Sequence, residues 1–340
     1  MKDHSLLSAI SDLLSENSSI IITTHSNPDG DAIGSSLALK FYLEKKGYEV
    51  KVLIPNSYPA FLSWLPGIDN ILIFDKEASK AKKAISEADI AFCLDYNAID
   101  RSGTLQDDLN KASHKRILID HHPEPVHDQF DSFYFDSNKS STAELIFHLI
   151  CDLNDKSLID KNIATNIFVG IMTDTGSFSH SINDAETFRV VADLIDVGID
   201  ASWIHRQVYD TFTENRLRLL GHAITNRMMV LEEYNTAIIH LTKDDLKEFQ
   251  FRIGDTEGIV NYPLSMDKIK LAVLVTEKKD LIRLSFRSKG DFSVNELART
   301  HFNGGGHLNA AGGNSRQGLK ETMTKLQEVL AEYKEQLAFH

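Results

Sequence analysis

The stretch that decides the fold is IIITTHSNPDGDAIGSSLALKFYLEKKG, residues 20–47. Its first five residues, 20–24, are all β-branched and read as a strand. A polar turn holding Pro28 and Gly30 follows. Residues 31–46 then read as a helix that Gly47 ends. Ile33, Leu37 and Phe41 recur four apart and form its buried stripe. Gly34, Ser35, Ser36 and Ala38 are small, so this helix is expected to lie close against a sheet. A strand that turns sharply into a helix is the opening unit of an α/β fold.

Outward from there the pattern repeats. Residues 50–54, 71–74, 90–94 and 116–119 read as further strands, with a helix at 76–87. Continuous apolar strands alternating with helices predict a parallel sheet covered by helices on both faces. In such sheets ligands bind beyond the carboxyl ends of the strands. Helices are expected at 142–153, 160–174, 184–197 and 201–225. From Arg227 the pattern changes: strands at 228–231, 236–241, 269–276 and 281–287 are joined by tight connections, with helices at 244–249, 294–300 and 319–337. We expect an α/β domain over residues 1–190, a helical linker over 191–215 and a smaller α+β domain over 216–340. There is no internal repeat and no low-complexity segment.

The chain has 340 residues, 42% apolar and 25% charged, the profile of a soluble globular protein of about two domains. No apolar run approaches the ~18–20 residues that span a bilayer, so no membrane association is expected. Residues 1–17 lack a basic-then-apolar leader, and a cytoplasmic location is expected. Cys93 and Cys151 sit in apolar segments and read as buried free thiols. The net charge of −13 disfavours a protein that grips long duplex nucleic acid. It leaves room for a short anionic substrate, because bound cations reverse a local field.

Acidic and imidazole side chains gather at the strand ends. His25, Asp29 and Asp31 follow the first strand, and Asp31 also suits the N-terminus of the following helix. Asp95 directly follows residues 90–94. Asp120, His121 and His122 follow residues 116–119. Asp174 continues the stripe of Ile163, Ile167 and Ile171, which would bury a carboxylate and call for a cation. Four carboxylates that close repel one another, and two divalent cations balance them. An oxygen and imidazole donor set without thiolate favours manganese or magnesium over structural zinc. Such a pair ~3.5–4 Å apart clamps a phosphoryl group for in-line attack by hydroxide.

In the second half, Gly304, Gly305 and Gly306 lack side chains, so their N–H groups are expected to approach an oxyanion, with His307 adding a donor. Between residues 268 and 299 eight Lys or Arg face four Asp or Glu, a local excess of four positive charges in an acidic chain. Arg287 and Ser288 lie at a strand end in that segment.

These residues resemble a known family. His25-x-x-Pro-Asp-Gly-Asp-Ala-x-Gly-Ser, the lone Asp95, Asp120-His-His and Gly170-Ile-Met-Thr-Asp174 resemble the four motifs of the DHH phosphoesterase superfamily. Phe302-Asn-Gly-Gly-Gly-His307-Leu-Asn-Ala-Ala-Gly312 resembles the glycine-rich motif of its DHHA1 domain. The resemblance covers essentially the whole chain in the family's order. It implies one metal held by His25, Asp29 and Asp95, and a second held by Asp31, Asp95, His121 and Asp174, with manganese the expected ion and magnesium the other choice. It implies that His122 faces the scissile phosphate and that Asp120 orients a histidine. Arg101, in Asp95-x5-Arg-x-Gly103, is similar to a loop that touches substrate phosphate, although Tyr96-Asn97 departs from the usual Thr-Ser. Arg287, Ser288, Gly304, Gly305, Gly306 and His307 resemble substrate contacts across an interdomain cleft.

The compact two-domain arrangement is most similar to bacterial oligoribonucleases (nanoRNases) that also remove phosphate from 3′-phosphoadenosine 5′-phosphate (pAp). Short single-stranded RNA and small nucleotides are therefore the expected partners, and a homodimer is allowed. The alternatives are a soluble phosphodiesterase of cyclic or linear dinucleotides (c-di-AMP, pApA), a polyphosphate or pyrophosphate hydrolase, and a non-catalytic nucleotide sensor.

Overall fold

The computed structural model describes residues 19–338 except 180, 181, 183 and 184. The reading of residues 1–17 and the first residue of the helix expected at 184–197 lie outside them. The chain divides into two compact units, Met1–Thr211 and Phe212–His340.

The first unit is built on six strands: β1 (Ser19–Thr24), β2 (Glu49–Ile54), β3 (Leu72–Ile73), β4 (Ile90–Leu94), β5 (Lys115–Asp120) and β6 (Ser132–Phe135). They lie in the order β3-β2-β1-β4-β5-β6, and every pairing is parallel. The order reverses direction between β1 and β4, which leaves a crevice at their carboxyl ends. Register then sets the site. Thr24 pairs with Leu94, and Leu94 with Ile119. The next residues, His25, Asp95 and Asp120, therefore leave adjacent strands side by side.

Side-chain alternation feeds two layers. Ile20, Ile22, Phe92, Leu94, Ile117 and Ile119 pack under helices α1 (Gly30–Lys45), α4 (Thr142–Asp152) and α5 (Lys161–Asp174). Ile21, Leu53, Cys93 and Leu118 face the other way, against α2 (Phe74–Glu87) and α3 (Gln106–Lys111). Helices α6 (Glu186–Asp196) and α7 (Ala201–Tyr209) complete the unit. Leu194, Ile199, Ile204 and Val208 belong to the same core as Ile163. Most of the segment expected as a linker is thus packed into this unit, because its apolar stripe has a core to cover. The single helix expected over 201–225 is two, since Thr213 caps α8 (Glu214–Asn226) by accepting from the Arg216 N–H at 3.1 Å.

The small face of α1 meets another helix rather than a sheet. A Cβ at Gly34 would stand 2.4 Å from the Asn166 carbonyl oxygen and 3.0 Å from the Gly170 nitrogen on α5. Gly34→Ala is therefore expected to destabilise the unit by ~2–3 kcal/mol through forced separation of two backbones. Intrinsic helix propensity alone would favour Ala by about 1 kcal/mol. A thermal melt reads the sign directly.

The second unit carries β7 (Met228–Leu231), β8 (Thr236–Leu241), β9 (Leu271–Glu277), β10 (Ile282–Ser288), β11 (Gly305–Gly306) and β12 (Ala310–Ser315). They form one sheet in the order β11-β12-β10-β9-β8-β7, antiparallel except for β8 with β9. Helices α10 (Val294–His301) and α11 (Leu319–Glu332) cover one face; α8 and α9 (Lys243–Glu248) cover the other. The α/β unit followed by an α+β unit is the expected fold class. No helix among the described residues is long and apolar enough to cross a membrane. Cys93 is buried, its thiol pushed up to about 11 by burial, whereas Cys151 is only half-buried.

Candidate metal centre

Three short turns after β1, β4 and β5 aim their side chains at one place. Asp29 caps α1: its Oδ1 accepts from the N–H groups of Asp31 and Ala32, both at 3.1 Å. The sequence suggested Asp31 for the cap, but the helix starts one residue earlier, at Gly30. Asp31 is thereby placed in the first turn and buried.

Asp95 has φ +63°, a left-handed conformation that costs a non-glycine residue about 1–3 kcal/mol. Its N–H still donates to the Ile119 carbonyl at 3.1 Å. The strained residue turns its carboxylate into the crevice, where it is 2% exposed. Asp120 ends β5 fully buried, with His121 and His122 beside it.

The three histidines share one arrangement. His25 Nδ1 lies 2.9 Å from the Ser26 carbonyl oxygen, His121 Nδ1 lies 3.2 Å from the Lys139 carbonyl oxygen, and His122 Nδ1 lies 2.8 Å from Asp120 Oδ1. A carbonyl only accepts, so Nδ1 of His25 and of His121 carries a proton, and in the neutral ring Nε2 keeps the lone pair. His25 Nε2 is 3.3 Å from Asp95 Oδ2. His121 Nε2 is 3.6 Å from Asp95 Oδ1, 3.5 Å from Asp174 Oδ2 and 3.9 Å from Asp31 Oδ2.

Two donor groups result, each with its ligand atoms within 4.8 Å of one another: His25, Asp29 and Asp95, and Asp31, Asp95 and His121. They overlap at Asp95. A third group joins Asp95, Asp120 and His122. Asp174, the last residue of α5, brings its Oδ2 beside His121 Nε2 of the second group, although its side chain is 26% exposed rather than buried. The helix end reaches the crevice mouth, where the negative end of the helix dipole opposes a carboxylate.

The electrostatics call for positive charge. Burial, then the charges of Asp95 and Asp29, raises the Asp31 carboxyl well above its usual range. Burial, then Asp29, Asp120 and Asp174, does the same to Asp95. Burial pushes Asp120 up to about 7, and its Oδ2 has no hydrogen-bond partner. Burial pulls His121 down to about 4, so it stays a neutral donor at physiological pH. Buried carboxylates that repel one another, a neutral His121 with its Nε2 lone pair turned inward beside His25 Nε2, and no thiolate fit a pair of hard divalent cations.

The sequence missed the clamp that holds these ligands. Asp31 Oδ2 and Oδ1 accept from the N–H groups of Thr142 and Ala143 at 2.7 and 2.8 Å, and Thr142 Oγ1 donates to Asp95 Oδ1 at 3.0 Å. The N-terminus of α4 is thus aimed at the acidic cluster. The run Ser141-Thr-Ala-Glu144 was open to reading as a helix start; nothing local says that its amides meet Asp31.

The remaining candidate residues have other uses as well. Arg101 lies in the helical turn Ile99–Leu105, its carbonyl accepting from the Ser26 N–H at 2.8 Å. Its charge partly offsets burial at Asp95 and Asp120. In the second unit the Ser288 hydroxyl donates to the Phe292 carbonyl at 2.7 Å and accepts from Asn309 Nδ2 at 2.9 Å. Arg287 Nη1 donates to the Phe286 carbonyl at 2.9 Å. The glycine run differs from expectation. Gly304 N–H donates to the Ala298 carbonyl, Gly306 N–H to Asn295 Oδ1 and His307 N–H to the Ala310 carbonyl. Those amides are spent inside the fold. A Cβ at Gly304 would fall 1.9 Å from the Gly312 carbonyl oxygen, so close strand approach requires glycine there.

Comparison with known proteins adds the following. The model of the DHH family, N-terminal domain, matches residues 19–171, and that of the DHHA1 domain matches residues 235–338. A probable bifunctional oligoribonuclease and PAP phosphatase NrnA of Streptococcus mutans is 28% identical over 297 residues, 87% of this chain and 89% of that protein. The bifunctional oligoribonuclease and PAP phosphatase NrnA of Bacillus subtilis is 29% identical over 295 residues, 86% of this chain and 88% of that protein. A crystal structure of an exopolyphosphatase-related protein from Bacteroides fragilis is 39% identical, covers 99% of each chain and superposes with a TM-score of 0.92.

Proposed function

The chain belongs to the DHH family, a DHH domain followed by a DHHA1 domain, and is a phosphoesterase; from that premise we propose that it hydrolyses short oligoribonucleotides and pAp. The observation that carries the reading is the meeting of two donor groups at Asp95, with His122 alongside. His25, Asp29 and Asp95 would hold one cation; Asp31, Asp95, His121 and Asp174 would hold the other, manganese before magnesium. When bound, the pair supplies positive charge to a phosphoryl group and lowers the pKa of water so that a nucleophile exists at neutral pH.

The chain's own groups do the rest. Asp120 Oδ1 fixes the His122 ring through Nδ1. When Asp120 carries the proton of that buried pair it donates to Nδ1, which leaves the ring's own proton on Nε2 to donate to a non-bridging oxygen; the shared proton passes to Nδ1 as charge builds there. Arg101 binds a phosphate at the crevice. Arg287, Ser288 and the His307 side chain are the second unit's candidates for substrate contact, whereas the Gly304 and Gly306 amides are already bonded within the fold. NrnA-type relatives that match most of their length support nucleotide substrates over bare phosphate chains. The cytoplasm, where such nucleotides arise, is the proposed location.

A product time course in manganese tests the reading, with pAp, a pentaribonucleotide, pApA, a cyclic dinucleotide and polyphosphate offered side by side. We expect phosphate from pAp and stepwise mononucleotides from the pentamer at the highest rates. Preferred turnover of polyphosphate, the substrate suggested by the Bacteroides fragilis protein's name, or of the cyclic dinucleotide would replace the proposal. Nucleotide binding without turnover would make the protein a sensor.

A further inference from the structure

Glu144 lies on α4, directly after the clamp residues Thr142 and Ala143, and takes part in none of the donor groups above. It is fully buried. Its Oε2 accepts from the Ser140 N–H at 3.1 Å, the Ser140 hydroxyl at 2.6 Å and the Thr187 hydroxyl at 2.9 Å. Its Oε1 lies 3.3 Å from both Lys139 Nζ and His148 Nε2. Burial works against its charge, but the bonds from His148, Ser140 and Thr187 outweigh it and hold the carboxyl down at about 2.

The geometry of one peptide unit connects this anion to the site. The Lys139 carbonyl, which accepts from His121 Nδ1, and the Ser140 N–H, which donates to Glu144, belong to the same planar amide. They point in opposite directions, so the amide is gripped at both ends. A full negative charge at the N–H end polarises the amide and strengthens its carbonyl as an acceptor. A stronger acceptor fixes His121 with its proton on Nδ1 and enriches the Nε2 lone pair that faces Asp31, Asp95 and Asp174.

We infer that Glu144 is a positioning residue, which acts through the Lys139–Ser140 peptide to fix the tautomer and donor strength of His121 and so governs the affinity of the cation held by Asp31, Asp95, His121 and Asp174. The inference rests on the reading of that cluster as a metal centre. Hydrogen bonding of Ser140 and Thr187 alone would explain a buried Glu as a fastener of the loop before α4. Such a fastener would need no charge, because a neutral amide of the same shape keeps an accepting oxygen.

The test compares the full-length wild type with Glu144→Gln. Manganese titration by calorimetry is expected to show two ions in the wild type. In the variant one ion should bind about 10–100-fold more weakly, the range for loss of an outer-shell partner, while the other stays within about threefold. In metal-free protein, ¹⁵N-correlated NMR should show His121 protonated on Nδ1 in the wild type and an Nε2-protonated population in the variant. If Glu144→Gln does not fold, Glu144→Asp keeps the charge but withdraws it by one methylene, and should weaken the same ion. A folded Glu144→Gln or Glu144→Asp with unchanged affinities and an unchanged His121 signature would overturn the inference alone. A wild type that binds no pair of manganese ions would instead overturn the metal-centre reading.

Discussion

Asp95→Asn is expected to lower manganese-dependent hydrolysis by about 10³-fold or more, while making the metal-free protein more stable. Both effects come from one carboxylate. Asp95 Oδ2 faces His25 Nε2, and Oδ1 faces His121 Nε2 and accepts from Thr142. The two oxygens thus serve the two donor groups separately. An asparagine replaces one oxygen with an NH₂ that donates hydrogen bonds and binds no cation. In either amide orientation one group loses its shared member, so manganese uptake should fall from two ions to one at most. Stability moves the other way, because the native fold holds Asp95 out of water among Asp29, Asp120 and Asp174. Removing that charge removes a cost of folding in chelator. A rise of several degrees in the melting temperature is expected, each kcal/mol being worth about 2–4 °C in a unit of this size. Normal turnover by the variant would take Asp95 out of the chemistry. A lower melting temperature in chelator would mean that protein donors already satisfy the carboxylate.

What could be read from the chain depended on whether the causes were local. The strand at 90–94 matches β4 to the residue, and the strands at 228–231 and 236–241 match β7 and β8, because β-branched and apolar runs are bounded there by turn residues. β6, SFYF, and β12, AAGGNS, were missed. Neither contains a β-branched residue, and β12 reads as a turn; it is a strand paired with β10 and β11, where Gly304 and Gly306 permit close approach of β11 and Gly313 leaves room for the Phe302 Cβ and the Phe286 ring. The candidate ligands were legible because polar side chains at the ends of apolar strands stand out. Their support was not. Thr142, the Lys139 carbonyl and Glu144 act across more than a hundred residues from Asp31 or through the backbone, and no spacing rule reaches that far. Gly34 was visible as a small residue, but the partner that needs it, the Asn166–Gly170 turn of α5, is set only by helix crossing.

The same buried charges make the pH dependence of stability reverse with metal. Without metal, two opposing slopes act between about pH 4 and 6.5. His121 is pulled down to about 4 in the fold, so over this window the unfolded chain binds the extra proton and stability rises with pH. Asp31 and Asp95 are raised by burial, and Asp120 to about 7, so there the native state binds the extra protons and stability falls with pH. The slopes partly cancel. Above about pH 6.5 the histidine contribution is complete and only the carboxylates still titrate, so the chelated protein should melt lower at pH 8 than at pH 6.5. With manganese the order reverses, because the ions compete with protons for the same oxygens and bind more tightly as pH rises. Two ions, each at a hundred times its dissociation constant, contribute roughly 5 kcal/mol. That separates the manganese and chelated melting temperatures at pH 8 by about 10–20 °C. At pH 5 the gap should shrink to a few degrees, since protons then occupy the sites. Scanning calorimetry across pH 5–8 in manganese and in chelator measures all four corners. Parallel curves, or a chelated protein that gains stability towards pH 8, would mean that these carboxylates ionise without difficulty inside the fold, and the reason for placing cations among them would be gone.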